Sequence, residues 1–432
     1  MVFIINLIWL CILTWFGFKF LNHKDSIVMR LPFCDEKTEM ACTGLEALLI
    51  FMIGTGLMGL IPLLAIHLGT LELICILGIA RAPYKAIYST PLKFYIVFLL
   101  WAAIGIIYGV SVNYGVRMIL KYIYPLLIAL FASAVIRDVE IFLKAGQMGR
   151  RMAVISFITY YIPMSGFIFL GVFWNRAALA TNYIVWVVFS IALAYAGVRS
   201  KKNILWTIAF CLPALIWVFR TDIFGSSVAL ATFFFLKYRL KSLPLVIGMA
   251  GLALCALFYI PAVKEKMYFR PDEVTMTDFL TGNVDENNIN TSGRKQGWED
   301  VERWFYDGHE YKGSGTGRVQ HYFYEEAPGW RRGGQLHNDL LVLKCDNGLI
   351  GLALFLFSYL AVMFHCMIIY HKSDRNSVKL CASVAGAALM GILVTTYSDN
   401  TISYSMATLA YPWAFYGMAL GLAKREKDTA VL

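Results

Sequence analysis

The sequence predicts an all-α, polytopic integral membrane protein with about twelve transmembrane helices, both termini in the cytoplasm and one large, partly helical periplasmic loop. Three observations lead to this fold class. Hydrophobic residues make up 59% of the 432-residue chain and charged residues only 15%, whereas a soluble protein of this size needs more polar surface. Apolar runs long enough to cross the hydrocarbon core of a bilayer recur along almost the whole chain. Lys and Arg are concentrated in alternate short loops, a pattern that reports membrane orientation.

The apolar runs give the predicted spans in order. The first span, 2–21, is apolar almost from Met1 and lacks a basic segment and a cleavage site, so we interpret it as a helix and not as a signal peptide. The stretch from Leu45 to Ile79 is too long for one straight helix and is interrupted at Pro62, which leaves room for a crossing and a re-entrant piece. The other predicted spans are 45–66, 91–111, 116–136, 152–174, 180–198, 203–219, 222–236, 242–263, 349–371, 378–397 and 404–422.

The distribution of Lys and Arg sets the orientation. Six short loops on one side carry 19 of these residues, among them Lys144 and Arg150, whereas the short loops on the other side carry 6. The positive-inside rule places the richer side and both termini in the cytoplasm. The chain then divides into helices one to nine (1–263), a periplasmic loop (264–336), and helices ten to twelve with a short tail (337–432). The tips near Asn175, Arg220 and Asp399 face the same side as the loop.

The formal charge of +10 and the nine cysteines exclude two classes of function. The positive residues lie mainly in short loops between apolar runs, so they indicate orientation and not a nucleic-acid partner. The cysteines show no metal-ligand spacing and no carboxylate cluster stands in the loop, so the sequence predicts no metal site. Cys34 and Cys42 share one polar segment, and a disulfide and two free thiols both remain open.

The predicted periplasmic loop contains the polar motifs of the chain. Arg294 begins a predicted helix in which Trp298, Val301 and Phe305 share one face. A glycine-rich turn follows at residues 313–318, which lacks the strand and the Lys-Ser/Thr ending of a phosphate-binding P-loop. The remaining features are an aromatic stretch and a polar re-entry into the membrane, with Tyr322, Tyr324 and Trp330 in the first and His337 and Asn338 in the second. Aromatic residues at this position also suit interfacial anchoring.

Together these motifs resemble the hallmark region of the bacterial O-antigen ligase and O-antigen polymerase superfamily. The resemblance rests on His337-Asn338-x-x-Leu341-x6-Gly348-x-x-Gly351, on Ser292-Gly293-Arg294-x3-Trp298 and on the Gly315-x-Gly317 turn. It covers about residues 170 to 370 and concerns only the architecture elsewhere. It implies a metal-independent glycosyltransferase without a cofactor, located in the bacterial inner membrane. Such an enzyme moves a glycan from undecaprenyl diphosphate to a hydroxyl acceptor at the periplasmic face.

The resemblance also implies roles for individual residues. His337 is expected to act as the general base, and Arg294 and Arg220 to stabilise the departing diphosphate, since a guanidinium grips phosphate oxygens bidentately. Phe219-Arg220-Thr221 resembles the family's Ser-Arg-Gly type of segment, and residues 175–182 resemble its Asn-rich turn more loosely. A plain contact between Arg220 and Asp222 is the structural alternative. The substrate-binding residues implied or suggested by position are Arg318, Arg176, Asn338, Trp298, Tyr322 and Tyr324, although Asn338 equally suits a helix cap.

The expected partners are an undecaprenyl-diphosphate-linked glycan donor, a glycan or lipid A–core acceptor, membrane lipids, a flippase and a chain-length regulator. A polymerase is slightly favoured over a ligase because the superfamily serves many surface polysaccharides. Two alternatives come from other classes. One is a secondary transporter, which twelve helices suit, although the long loop lies outside and no internal repeat is evident. The other is a membrane scaffold or glycan-binding subunit without catalysis.

Overall fold

The computed structural model describes residues 2–23, 25–30, 39–54, 64–161, 176–216, 219–285, 288–291, 294–329 and 334–429. Over these residues the chain is almost entirely helical. Five of the described helical stretches are long and apolar enough to cross a membrane, namely Thr90–Ile107, Val112–Val135, Arg220–Gly248, Asp339–Lys372 and Asn376–Thr395. The third of these stretches includes parts of two helices whose bounds are given below. The structure therefore confirms a helical chain with several helices suited to a bilayer, as the apolar runs predict.

The N-terminal part contains helices α1 (Val2–Asn22), α2 (Gly44–Gly54) and α3 (Leu64–Arg81). Two short antiparallel strands, β1 (Ile27–Arg30) and β2 (Glu39–Cys42), lie between α1 and α2, so the all-α prediction omits one hairpin. Pairing the two strands satisfies their backbone groups between the helices. Within the predicted span 45–66 the structure describes α2 up to Gly54 and the start of α3, and Pro62 lies outside the described residues. Cys34 lies outside them too, so its pairing with Cys42 is not described.

The next helices are α4 (Thr90–Ile107), α5 (Val112–Val135), α6 (Val139–Tyr161), α7 (Arg176–Tyr195) and α8 (Ser200–Ile216). Helix α6 begins well before the predicted start at residue 152. Lys144 and Arg150, which the prediction counts in an exposed loop, are buried on this helix. Arg150 donates to Asn203 Oδ1 at 2.7 Å and lies 4.9 Å from the Trp206 ring. These partners offset the cost of burying a cation and let the helix extend.

Helices α9 (Arg220–Tyr238) and α10 (Leu243–Tyr259) lead into the long polar segment, residues 264–336. This segment is partly helical, as the sequence predicts. It contains the end of α11 (Pro261–Met267), then α12 (Met276–Thr281), α13 (Arg294–Phe305) and α14 (Arg318–His321), and a π-helical turn at Tyr322–Glu326. Val301 and Phe305 of α13 are buried together with Leu341 and Cys345, which confirms the predicted apolar face of this helix.

The C-terminal helices are α15 (Asp339–Lys372), α16 (Asn376–Thr395), α17 (Ser405–Thr408) and α18 (Ala410–Thr429). Helix α15 begins ten residues before the predicted span 349–371, and its backbone leaves the helical region at Gly348 (φ 68°, ψ −174°). The amides of Leu349 and Ile350 donate to the carbonyls of Glu310 and Tyr311, at 2.7 and 3.3 Å. The polar segment thus supplies the acceptors that the broken helix lacks.

Residues 313–318, the glycine turn, fasten the polar segment to one end of the helical bundle. Gly315 has φ +107°, and a Cβ built there would lie 2.4 Å from the Cα of Gly109. The Thr316 hydroxyl lies 2.6 Å from the carbonyl oxygen of Ala102. The buried Asp346 carboxylate accepts the amides of Gly317 and Val319, at 2.8 and 3.0 Å. The turn therefore joins the end of α4 to the first part of α15, which places the polar segment directly over the helix ends.

Candidate functional site

Residues 397–400, the turn that follows α16, are the meeting point of the predicted catalytic residues. The turn is held against the start of α15, because the amides of Asp339 and Leu340 donate to the Thr396 carbonyl at 2.9 and 3.3 Å. The Asp339 carboxylate in return accepts the amide of Ile402. These bonds fix the turn beside His337, which immediately precedes the cap of α15.

His337 makes three contacts with the turn. Its backbone amide donates to Asn400 Oδ1 at 3.0 Å, and its ring Nδ1 lies 3.4 Å from Asp399 Oδ1 and 3.0 Å from Asn400 Nδ2. The Asp399 carboxylate favours the tautomer with a proton on Nδ1, whereas the Asn400 NH2 group favours the tautomer with an unprotonated Nδ1. The residue has φ 52°, an uncommon conformation for a side chain other than glycine. Its side chain is 37% exposed, so a substrate can reach the ring.

Arg294 and Trp298 reach the same turn from α13. Arg294 Nη1 donates to the Ser398 carbonyl at 2.8 Å. The Trp298 ring lies 5.9 Å from the Tyr397 ring, and its Nε1 donates to the Leu336 carbonyl at 2.8 Å, next to His337. The two residues are one helical turn apart, as the sequence predicts. The structure thus brings Arg294, Trp298 and His337 to one turn of four residues.

Arg220 approaches the turn from the start of α9. Its neighbour Thr221 shares a hydrogen bond of 2.7 Å with the Ser398 hydroxyl. Arg220 Nη1 donates to the carbonyls of Asn290 and Lys266, at 2.6 and 3.3 Å, so the guanidinium lies under the polar segment. The charge of Arg294 acts on Arg220, and the charge of Arg220 acts on Lys266. Burial, with the Arg220 charge second, lowers the pKa of Lys266. Three cations therefore gather at this point, which favours a polyanionic ligand.

A cavity of about 300 Å³ opens beside these cations. Its wall is mainly apolar and is formed by α9, the start of α15 and the end of α16. The lining residues include Thr221, Phe224, Leu340, Val394 and Tyr397. Phe224 and Tyr397 are 61% and 60% exposed, so the cavity opens on the outer surface of the bundle. Its polar end, at Thr221 and Ser398, adjoins the arginines. The cavity therefore suits an apolar chain with a negatively charged head.

The other predicted substrate-binding residues lie elsewhere or have structural partners. Arg318 forms two hydrogen bonds with Glu326, at 2.8 and 2.9 Å, and stacks over Phe305 at 4.6 Å. Tyr322 packs against Phe305 with ring centroids 5.4 Å apart. Tyr324 stacks on Tyr114 at 6.0 Å. The structure therefore does not bring these three residues to the turn at 397–400.

Two further predicted residues are accounted for separately. The Asn338 side chain accepts the amide of Leu341 at 2.9 Å and caps α15, the capping role that the sequence leaves open. Arg176 begins α7, but its side chain lies outside the described residues, as do Asn175, Ser292, Gly293 and Trp330.

Asp399 and Asn400 are the residues of this site that the predicted set omits. The charge pattern places the Asp399 tip on the same side as the polar segment, which is a signal, but no local motif assigns it a partner. Its contact with His337 joins residues separated by 62 positions in the sequence. The Asp222 carboxylate, the sequence-based alternative partner for Arg220, accepts from Thr181 at 3.2 Å.

Within the described residues, no group of three or more His, Cys, Asp or Glu side chains could hold a metal ion. The site consists of a histidine with a carboxylate and an amide at Nδ1, three nearby cations and an adjoining apolar cavity. Comparison of the chain with models of protein families and with curated proteins gives no match.

Proposed function

We propose that this protein is a membrane glycosyltransferase that moves a glycan from a polyprenyl diphosphate, undecaprenyl diphosphate in the bacterial inner membrane, to a hydroxyl acceptor. One observation carries the proposal: His337 and Arg294 contact the turn 397–400, as does Thr221 next to Arg220, beside an apolar cavity that opens on the outside of the bundle. A lipid-linked diphosphate needs these features together, namely cations for its head, a groove for its tail and a proton acceptor for the incoming hydroxyl.

The proposed topology has twelve crossings with both termini in the cytoplasm, so that the site faces the periplasm. The excess of Lys and Arg on one side supports it. The structure also groups the end of α4, the start of α9 and the end of α16 under one polar segment. These are the ends that the charge pattern assigns to the same side.

In the proposed reaction the acceptor hydroxyl attacks the sugar carbon that carries the diphosphate. A new carbon–oxygen bond forms to the acceptor, and the bond to the diphosphate oxygen breaks with its electron pair. His337 takes the hydroxyl proton at Nε2, since Nδ1–H donates to Asp399 in the reactive tautomer. Arg294 and Arg220 stabilise the negative charge that develops on the leaving diphosphate. These residues carry out the reaction without a metal ion or cofactor.

Deleting the gene and restoring it with variants tests the proposal. We expect wild-type protein to restore the surface glycan, and His337→Ala to fail at equal expression. His309→Ala is a matched control, because His309 is an exposed histidine of the same segment. Full restoration by His337→Ala would refute the assigned site, and uptake of a labelled solute into proteoliposomes that survives this substitution would favour a transporter.

The same strain distinguishes the two transfer reactions. Lipopolysaccharide with a single repeat on its core indicates a lost polymerase, the slightly favoured activity, which would work with a flippase and a chain-length regulator. Absence of O-chain with accumulation of lipid-linked polymer indicates a lost ligase that uses lipid A–core. Loss of a capsule with an intact lipopolysaccharide ladder places the acceptor in another surface polysaccharide.

A further inference from the structure

Trp304, which is exposed, and Tyr322, which is partly buried, form an aromatic patch on the polar segment. Their ring centroids are 5.3 Å apart, and both rings border Phe305. Trp304 is 44% exposed. Tyr322 begins the π-helical turn Tyr322–Glu326, a backbone form that occurs frequently at functional sites. The two rings therefore give the polar segment a continuous flat apolar surface that a ligand can reach.

Hydrogen-bonding groups border the aromatic patch. Arg318 lies over the Phe305 ring and holds Glu326 through both carboxylate oxygens. His321 Nδ1 lies 3.0 Å from the same carboxylate. The Arg318 and Glu326 side chains are 17% and 37% exposed, so the pair reaches the surface. Flat apolar rings beside a charged hydrogen-bonding rim match a sugar ring, which has an apolar face and hydroxyl groups at its edge.

The surroundings of Trp304 favour a water-soluble ligand over a membrane surface. Helix α13 has the sequence RKQGWEDVERWF, and its residues Glu299 and Arg303 are exposed, as is Asp307 just beyond its end. Aromatic membrane anchors flank apolar spans, whereas this tryptophan is surrounded by charges on a polar helix. The aromatic patch therefore lies in water.

Helix α13 connects the aromatic patch to the proposed reaction site. Arg294 stands at its first residue and Trp304 ten residues later, a separation of about 15 Å along the helix axis. A glycan attached to a diphosphate at Arg294 can extend along this helix toward Trp304. We infer that Trp304, Tyr322, Arg318 and Glu326 form a second glycan-binding subsite, which holds sugar units remote from the reacting bond. This inference rests on the proposed function.

The test measures binding and needs no catalysis. Two probes are titrated by calorimetry into the full chain in nanodiscs. One is the glycan released from the lipid-linked donor of the producing strain by mild acid, and the other is the delipidated glycan of the acceptor. We expect Trp304→Ala to weaken binding of at least one probe by about two- to tenfold, and the affected probe identifies the source. Trp304→Phe, which keeps a flat ring, should retain most of the affinity.

Two matched variants separate the possible outcomes. Tyr311→Ala removes another exposed aromatic side chain, 72% exposed, from the same segment and should bind both probes normally. His309→Ala, at an exposed histidine of the same segment, should also bind both probes normally. If neither probe binds the wild-type protein, or if Trp304→Ala binds as wild type does, the inference is overturned. Normal surface glycan with His337→Ala would refute the proposed function alone.

Discussion

Asp346 is expected to hold the glycine turn, and replacing it with Asn should release the turn locally. Its carboxylate has no exposed surface and accepts the amides of Gly317 and Val319 through different oxygens, at 2.8 and 3.0 Å. In Asp346→Asn, one oxygen becomes an NH2 group that faces an amide donor. A buried amide donor left without an acceptor costs about 1–3 kcal/mol, which raises the opening constant of the turn by about 5- to 150-fold.

Hydrogen exchange measures this opening directly, because amide protection reports local opening free energies. We expect peptides that cover residues 313–321 to exchange faster in Asp346→Asn by the calculated factor, while peptides from α5 and α18 keep their rates. Asp307→Asn removes an exposed carboxylate of the same segment and should change neither region. Equal exchange of residues 313–321 in wild type and Asp346→Asn would refute the assigned role of this carboxylate.

Two further predictions test separate parts of the molecule. Arg294→Lys keeps the charge and loses the planar fork, so its initial transfer rate should fall by at least about tenfold at equal expression, and an unchanged rate would exclude bidentate contact. A hydrogen bond from Arg318 lowers the pKa of Glu326 in the folded state. The contribution of this pair to the free energy of unfolding is therefore fully present above the unfolded-state pKa of Glu326, and it is lost as the pH falls through the folded-state pKa. Glu326→Gln should therefore flatten the acid side of the melting-temperature profile, and an unchanged slope would contradict this.

Apolar runs predict helices well here because a bilayer leaves a lone chain few other ways to satisfy its backbone. The predicted starts of α6 and α15 are wrong, because polar side chains inside these helices bind residues from distant segments. Arg150 continues α6 because Asn203 and Trp206 receive its guanidinium. Asp346 lies within α15 because the glycine turn supplies its donors. Neither partner is visible in a local window, so composition alone starts both helices too late.

The candidate site shows the same limit at longer range. Arg294 and Trp298 could be placed together from their spacing on one helix. Their meeting with His337 depends on Ser398 and Asp399, which follow a different helix and are about a hundred positions away from Arg294. The count of Lys and Arg in alternate loops places these loop tips on one side of the membrane, but it does not predict which of their residues are in contact. The contact of His337 with Asp399 is seen only in the folded chain.

The glycines of the polar segment link the fold of α15 to the geometry of the candidate site. Their spacing drew attention as a motif, yet the structure gives Gly315 and Gly317 a docking role, since each has a positive φ and leaves no space for a Cβ against the backbone of Gly109 or Tyr114. The docked turn holds Asp346, and Asp346 lies on the same short part of α15, residues 339–347, whose first residues bind the turn at 397–400. Any substitution that lifts the glycine turn should therefore also move His337 relative to Asp399. Loss of activity in a Gly315 variant would consequently report displacement of His337, the proposed base, although the glycine itself lies outside the proposed site.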